Sequence, residues 1–406
     1  MEQVINHSVQ YQPRLKFGGF FAPYHHIDGN PTLQIRRDLD LVKRLDDLGF
    51  DEAWFGEHHS AGFEIIASPE LMVAAAAQRT HRIRLGTGVN SVPFHNPLIL
   101  ADRLNQLDHM TMGRVMAGFG PGQLPSDVHM LGMENSWMRD RMNEAVEVIV
   151  ALLRGETVTR KTDWFDLRDA RLQLGSYTPE GIEMTVTSVF TPTGATLAGQ
   201  QGIGILSVAA ADRKAQTKLV DNWQAHERAA AQSGRTSRRE KWRVLGILHL
   251  ADSREQARKD VEWGIRRYQR MHEDLYGGLF DWSSDAEAVD HWIKKGLGSW
   301  GSPIIGTPED AIEAIEHLLQ MTGGFGTFLV NSHHAAPWPA TQHSWDLFAE
   351  YVMPHFQGVN RAREASATWV RQNNDALISS RMQSIAQANE KFQRAAGEAH
   401  EVRSAS

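Results

Sequence analysis

The strongest constraint on this chain is a rhythm. Short β-rich runs alternate with longer amphipathic stretches from about residue 15 to residue 356. Strands are predicted over 15–22, 50–56, 83–89, 115–120, 182–188, 203–209, 242–251 and 326–331, with helices between them. The first helix, 33–48, carries Ile35, Leu39, Val42 and Leu45 at helical spacing. Asn30-Pro31-Thr32 opens it and Gly49 stands where a left-handed cap belongs. The second starts at Ser68-Pro69-Glu70, a cap followed by proline at the first helical position. Further helices are predicted over 97–110, 137–154, 212–233, 253–275, 307–321 and 342–356. Repeated strand–helix units build a parallel sheet, and eight of them fit a closed barrel. An open doubly wound sheet would carry G-x-G-x-x-G after its first strand, and none follows here. The expected class is therefore α/β, a (β/α)8 TIM barrel with insertions.

Two stretches interrupt the rhythm. Residues 155–180, with Trp164, Phe165 and Leu167 followed by Arg171-Leu172-Gln173-Leu174, predict a small hairpin before strand five. Residues 276–305 carry Trp282, Trp292 and Trp300 among glycines and read as a long irregular loop, the kind often used as a lid. The barrel is expected over 1–360 and a C-terminal helical extension over 361–406. In the extension, Ile378, Met382, Ile385 and Phe392 recur at helical spacing and predict one amphipathic helix.

Composition narrows the function. The chain has no cysteine, which removes disulfides, zinc–thiolate sites, iron–sulfur clusters and thiol nucleophiles and points to a reducing cytoplasm. A net charge of -7 argues against nucleic acid. Residues 1–14 lack a signal-peptide pattern, and no apolar run reaches bilayer length. With 41% hydrophobic and 22% charged residues the chain has the makings of an ordinary buried core. A cytoplasmic protein acting on a small molecule is expected, without nucleic acid or membrane.

In such barrels the active site lies at the C-terminal ends of the strands. That rule selects Phe21, Tyr24, His25 and His26 after strand one, and Glu57, His58 and His59 after strand two. It selects Asn90, Ser91 and His95 after strand three, and Gly120, Pro121 and Gly122 after strand four. Ser188, Thr191 and Thr193 follow strand five; Asn331, His333 and His334 follow strand eight. Histidine, the side chain that titrates nearest neutrality, is concentrated there. A metal site is one reading. Against it, His58 and His59 are adjacent on a strand end and should diverge, no H-x-H follows strand one, and no Asp ends strand eight. No metal is expected. The other reading is proton handling around an organic cofactor, although histidines such as His25, His26 and His129 also serve as plain loop caps. The stretch 187–194, TSVFTPTG, combines hydroxyls with a helix start and suits an anion, or simply an N-cap. Gly86-Thr87-Gly88-Val89 lets backbone approach a flat ligand, or serves barrel packing alone.

Four segments carry a family resemblance: GFDEAWFGEHHS (49–60), SPELMVAAAAQRTHRIRLGTGV (68–89), HNPLILADRLNQLDHMTMGRVMAGFGPG (95–122) and TPTGATLAGQQGIGILSV (191–208). Together they resemble the bacterial luciferase-like flavin-dependent monooxygenases, over about residues 16–356. The F-x-A-P-x-H opening, TDWFDLRDARLQL and YVMPHFQG look most similar to the limonene 1,2-monooxygenase-like branch.

The resemblance implies a two-component enzyme. A separate NAD(P)H:flavin reductase supplies reduced FMN, O2 is co-substrate, and a C4a-(hydro)peroxyflavin passes one oxygen atom to a small hydrophobic or heteroaromatic molecule. The cofactor carries the chemistry while the protein positions it and excludes water. His58 matches the catalytic histidine, stabilising or protonating the flavin peroxide, with Glu57 and His59 orienting it. Gly88, Val89 and Asn90 match the strand along the isoalloxazine, where relatives often have a non-prolyl cis peptide, here at Gly88–Val89. Gly120 belongs to the same wall. Ser188, Thr191, Thr193 and Gly194 match the phosphate loop. Luciferase has an arginine after strand four where this chain has Pro121, which leaves Arg139 or Arg141 to meet the phosphate; Arg141 is assigned to it. Phe21, Tyr24, His25, Trp54, His95, His333, His334 and Trp338 are expected at the substrate, in a mouth that also holds Phe20. A homo-oligomer is expected. Two rivals stay open: a deazaflavin-dependent oxidoreductase on the same barrel, and an inactive flavin-binding subunit. Oxygenation versus Baeyer–Villiger oxidation is not distinguished.

Overall fold

The computed structural model describes residues 14–21, 24–189, 191–208, 216–277, 280–297 and 301–404. In chain order it runs β1 (Lys16–Phe21), α1 (Pro31–Leu48), β2 (Glu52–Phe55), α2 (Pro69–Ala77), β3 (Arg84–Ser91), α3 (Pro97–Met110) and β4 (Val115–Gly120). A short helix α4 (Pro125–Met130) and α5 (Met138–Leu153) precede an antiparallel pair, β5 (Val158–Lys161) and β6 (Asp166–Ala170). Then follow β7 (Glu183–Thr187), α6 (Thr193–Gln201), β8 (Gly204–Ser207), α7 (Gln216–Gln232), β9 (Trp242–Leu250), α8 (Arg254–Glu262) and α9 (Ile265–Tyr276). The last elements are α10 (Asp285–Lys295), β10 (Ile304–Gly306), α11 (Pro308–Thr322), β11 (Thr327–Asn331), α12 (Trp338–Leu347), α13 (Met353–Gln357) and α14 (Arg361–Ser404). The expected strand and helix residues Ala22, Ala209 and 212–215, together with Pro23, Phe190 and Trp300, lie outside the described residues.

Eight parallel strands pair in the order β1-β2-β3-β4-β7-β8-β9-β11, and β11 returns to β1, closing the barrel. The alternation of side chains along each strand divides them between two layers. Phe20, Trp54, Met116, Leu206, Leu245 and Leu329 fill the inside. Phe17, Phe21, Phe55, Val115 and Phe119 face the surrounding helices. At the inner N-terminal end, fully buried Arg243 donates from Nε and Nη2 to Glu52 (2.7 and 2.9 Å) and from Nη2 to Glu183 (2.7 Å). Trp54 stacks its ring 4.9 Å from that guanidinium and donates to Glu52.

The helix ends follow their caps. Asn30 accepts from the Leu33 amide at 3.2 Å, Pro31 starts α1, and Gly49 ends it at φ 90°. Two expectations are corrected. The stretch 276–305 is not an irregular loop: Ser284 caps α10 by accepting from Glu287, buried Trp292 anchors it, and Ile304–Gly306 extends the sheet beside β9. The single helix expected over 253–275 divides at Trp263-Gly264. There the Ala335 backbone passes so closely that a Cβ on Gly264 would lie 2.6 Å from its carbonyl oxygen.

Residues 1–357 and 358–406 form two compact units. In the second, Ile378, Met382, Ile385 and Phe392 of the 44-residue α14 are all exposed. No helix among the described residues is long and apolar enough to cross a membrane.

Candidate active site

The loop after β2 places Glu57, His58 and His59 at the barrel mouth. Alternate side chains share a side and successive ones diverge, so Glu57 and His59 meet each other while His58 turns to Asp127 and Glu64. Glu57 is buried and saturated: one carboxylate oxygen accepts from His59 Nε2 (3.1 Å) and His95 Nε2 (2.7 Å), and the other from the Ser91 amide (2.7 Å). Burial opposes its charge, but the two histidine donors and the amide outweigh burial and hold its carboxyl down at about 2. Arg103 can only donate, and it meets His95 Nδ1 at 3.1 Å. The proton of that imidazole therefore sits on Nε2, facing Glu57. His59 is raised, chiefly by its bond to Glu57.

His58 lies between two carboxylates. Its Nδ1 is 3.3 Å from Asp127 Oδ2, and its Nε2 is 2.6 Å from Glu64 Oε2. Burial resists the charged ring, yet Glu64 and then Asp127 overcome it and push the pKa up to about 10. His58 is thus an imidazolium at neutral pH, with both N–H groups engaged. Asp127, on α4, also accepts from the His59 amide (3.1 Å) and from the Ser60 hydroxyl. Asp127 and Glu64 were not among the expected site residues. Asp127 follows β4 on the face the barrel rule selects, only a few residues beyond Gly122; no local signal marks Glu64.

His58 and Glu57 border a cavity of about 220 Å³ at the strand ends, walled by Phe20, Val89, Pro121, Leu206 and Val208. A second cavity of about 140 Å³ adjoins it, sharing Pro121, Gln123, Thr187 and Val189. Ser188, Thr191, Thr193, Gly194 and Arg139 line that arm. The N-terminus of α6 is pressed onto β7 there, since a Cβ on Gly194 would come within 2.0 Å of the Thr187 carbonyl oxygen. Arg141 does not reach the arm. It pairs with Asp163 at 3.3 Å and lies over the rings of Trp137 and Trp164. Arg139, on the opposite face of the same helical turn, lines the arm instead and enters none of the ion pairs among the described residues.

The Gly88–Val89 peptide is cis, and both residues line the first cavity. Gly120 packs against Val89, where a Cβ would lie 2.4 Å from Cγ2. Asn90 is buried, lines neither cavity, and has no described partner for its amide atoms. Phe21 faces outward onto Phe55 (5.3 Å between rings), so Phe20, one residue earlier, is the aromatic that reaches the cavity. Trp54 fills the barrel without lining the cavity. His95 serves Glu57. Tyr24 stacks on Phe63 and meets Tyr268 edge to face in a separate apolar cluster. His333 spends both ring nitrogens on backbone, the Leu248 carbonyl (3.0 Å) and the Ala335 amide (3.3 Å). Burial and then neighbouring His249 push it down to about 3. His334 and Trp338 line a third cavity of about 240 Å³ that shares no lining residue with the first two, and buried His25 contacts His334 beside it.

A model of the luciferase-like monooxygenases matches residues 15–324. The chain belongs to the luciferase-like monooxygenase family. This monooxygenase is 47% identical over 345 residues to limonene 1,2-monooxygenase of Rhodococcus erythropolis, covering 85% of this chain and 87% of the relative. It is 43% identical over 362 residues to 4-hydroxyprotoasukamycin monooxygenase of Streptomyces nodosus subsp. asukaensis, covering 88% and 96%. It shares its fold with the oxygenating constituent of 3,6-diketocamphane monooxygenase from Pseudomonas putida, solved in complex with FMN. The TM-score is 0.67 at 24% identity, covering 84% of this chain and 98% of that one. The chain is thus a flavin-dependent monooxygenase on a closed parallel barrel.

The paired cavities suit a flavin mononucleotide in the chemistry of their linings. The larger is mostly apolar with one charged edge, as a fused ring needs. The smaller presents hydroxyls, a helix N-terminus and a guanidinium with no acidic partner among the described residues, as a phosphate needs.

Proposed function

We propose that this monooxygenase takes reduced FMN from a separate NAD(P)H:flavin reductase and inserts one oxygen atom of O2 into a small hydrophobic or heteroaromatic substrate. The observation that carries the proposal is that the His58 cavity and the Arg139 arm adjoin, sharing Pro121, Gln123, Thr187 and Val189 in their walls. Phe20, Val89, Leu206 and Val208 offer apolar surface to the ring system, and Arg139 with Thr191, Thr193 and Gly194 holds the phosphate. Reduced FMN held there would supply the two electrons that reduce O2, so that one oxygen atom could pass to the substrate and the other leave as water.

The chain's own residues position and protect. His58 borders the cavity with its two ring nitrogens held by Asp127 and Glu64, which fix the orientation of the ring against the bound flavin. Glu57 anchors His59 and His95 and ties the β2 loop to β3 through the Ser91 amide. The apolar wall keeps water from the reacting centre and favours a hydrophobic substrate.

The test is turnover under ¹⁸O2 with an added flavin reductase and a panel of hydrophobic substrates that includes limonene. One labelled oxygen in the product is expected, with reduced FMN as the flavin. Turnover only with a reduced deazaflavin, or product without label, would contradict the proposal.

A further inference from the structure

Beside the third cavity, three side chains from distant parts of the chain converge. His25 follows β1, Asp38 lies on the buried face of α1, and His334 follows β11. One ligand atom from each lies within 4.8 Å of the others. His25 Nε2 is 2.9 Å from Asp38 Oδ2, and His334 Nε2 is 3.9 Å from Asp38 Oδ1. Asp38 and His25 are buried, with 1% and 0% of their surfaces exposed. Among the described residues the Asp38 carboxylate has one hydrogen-bond donor, His25, although a carboxylate offers about four lone-pair positions. His334 makes no ring hydrogen bond of its own there, and it opens onto the cavity.

We propose that His25, Asp38 and His334 bind one divalent transition-metal ion of the zinc, cobalt or nickel kind. Two imidazoles and one carboxylate are the donor set such ions prefer when no thiolate is offered. Ligands held at about 2.0–2.2 Å around a tetrahedral ion stand roughly 3.3 Å apart; the two histidine–Asp38 spacings, 2.9 and 3.9 Å, bracket that separation, and no pair exceeds 4.8 Å. Of the three ligands only His334 lines the cavity, and a water as fourth ligand would enter from that side. This site is separate from the His58 cavity and needs no flavin. It would tie together the segments after β1 and β11 and helix α1.

The experiment strips the full chain with a chelator and titrates it with Zn²⁺ against a chromogenic competitor; Co²⁺ in parallel reports four-coordination by its visible absorption. One tightly bound equivalent is expected. Loss of an outer-shell partner already weakens metal sites about 10–100-fold, so His334→Ala should weaken binding at least about 100-fold. His58→Ala should leave it unchanged. If His334→Ala does not fold, the unaltered protein still decides: one equivalent of Zn²⁺ raises its Tm, and Asp38→Asn abolishes that rise. Absence of stoichiometric binding, or binding lost in His58→Ala and kept in His334→Ala, overturns the proposal and leaves His25–Asp38 a structural hydrogen bond.

Discussion

Glu57 and His58 are neighbours held in opposite ways, and pH separates them. Glu57 is depressed to about 2 from an ordinary value of 4.5, so its stabilising contribution is complete above pH 4.5 and is lost as pH falls through about 2. The shift corresponds to about 3 kcal/mol. The gap in urea midpoint between the unaltered protein and Glu57→Gln should be large near neutral pH and shrink steadily in acid; a gap independent of pH would contradict this. His58 runs the other way. Its pKa is raised from 6.5 to about 10, so its contribution is complete below pH 6.5 and disappears as pH rises through about 10. Glu64→Gln removes one counter-charge, and the imidazole resonances of His58 should then titrate at least about one unit lower. An unmoved titration would deny Glu64 its part. The adjacent Glu57, His58 and His59 were legible because a strand end and a motif coincide there. Glu64 was not, because only tertiary folding decides where a loop side chain returns.

Among the elements, the junction of β7 and α6 lines the smaller cavity, the arm proposed for the phosphate. Gly194 lets the helix start rest on the Thr187 carbonyl. Gly194→Ala must push the helix away, and FMN affinity should fall about tenfold or more while the barrel stays folded by circular dichroism. Unchanged affinity would place the phosphate elsewhere. The eight strands were readable as buried apolar runs between capped helices, and the loop after β7 by its hydroxyls. Which face each residue takes was less readable. Phe20 and Phe21 differ only by the alternation of one strand, and Arg139 and Arg141 only by the rotation of one helical turn; in both pairs the neighbour of the expected residue reaches the cavity. Helix α10 escaped because the tryptophans and glycines that flank it mimic a loop, although Ser284, Asp285 and Glu287 are ordinary helix-start residues.

Across the whole molecule, the barrel is drawn together at its inner end by Arg243 of β9, which reaches Glu52 on β2 and Glu183 on β7. Removing one partner strands the others, so Arg243→Leu should cost roughly 3–5 kcal/mol of stability. A loss below about 1 kcal/mol would show that the carboxylates find other relief. The opposite end of the same barrel carries the central claim, that the His58 cavity and the Arg139 arm form one site for reduced FMN. The direct measurement is anaerobic titration of the protein with reduced FMN and with reduced riboflavin, which lacks the phosphate, repeated with Arg139→Ala. A charge-assisted phosphate contact is worth about 1.5–3 kcal/mol, or roughly 10–100-fold in affinity. The unaltered protein should therefore prefer FMN by that factor, and Arg139→Ala should lose most of the preference while binding riboflavin as before. Equal affinity for the two flavins, or a preference that survives Arg139→Ala, would contradict the account.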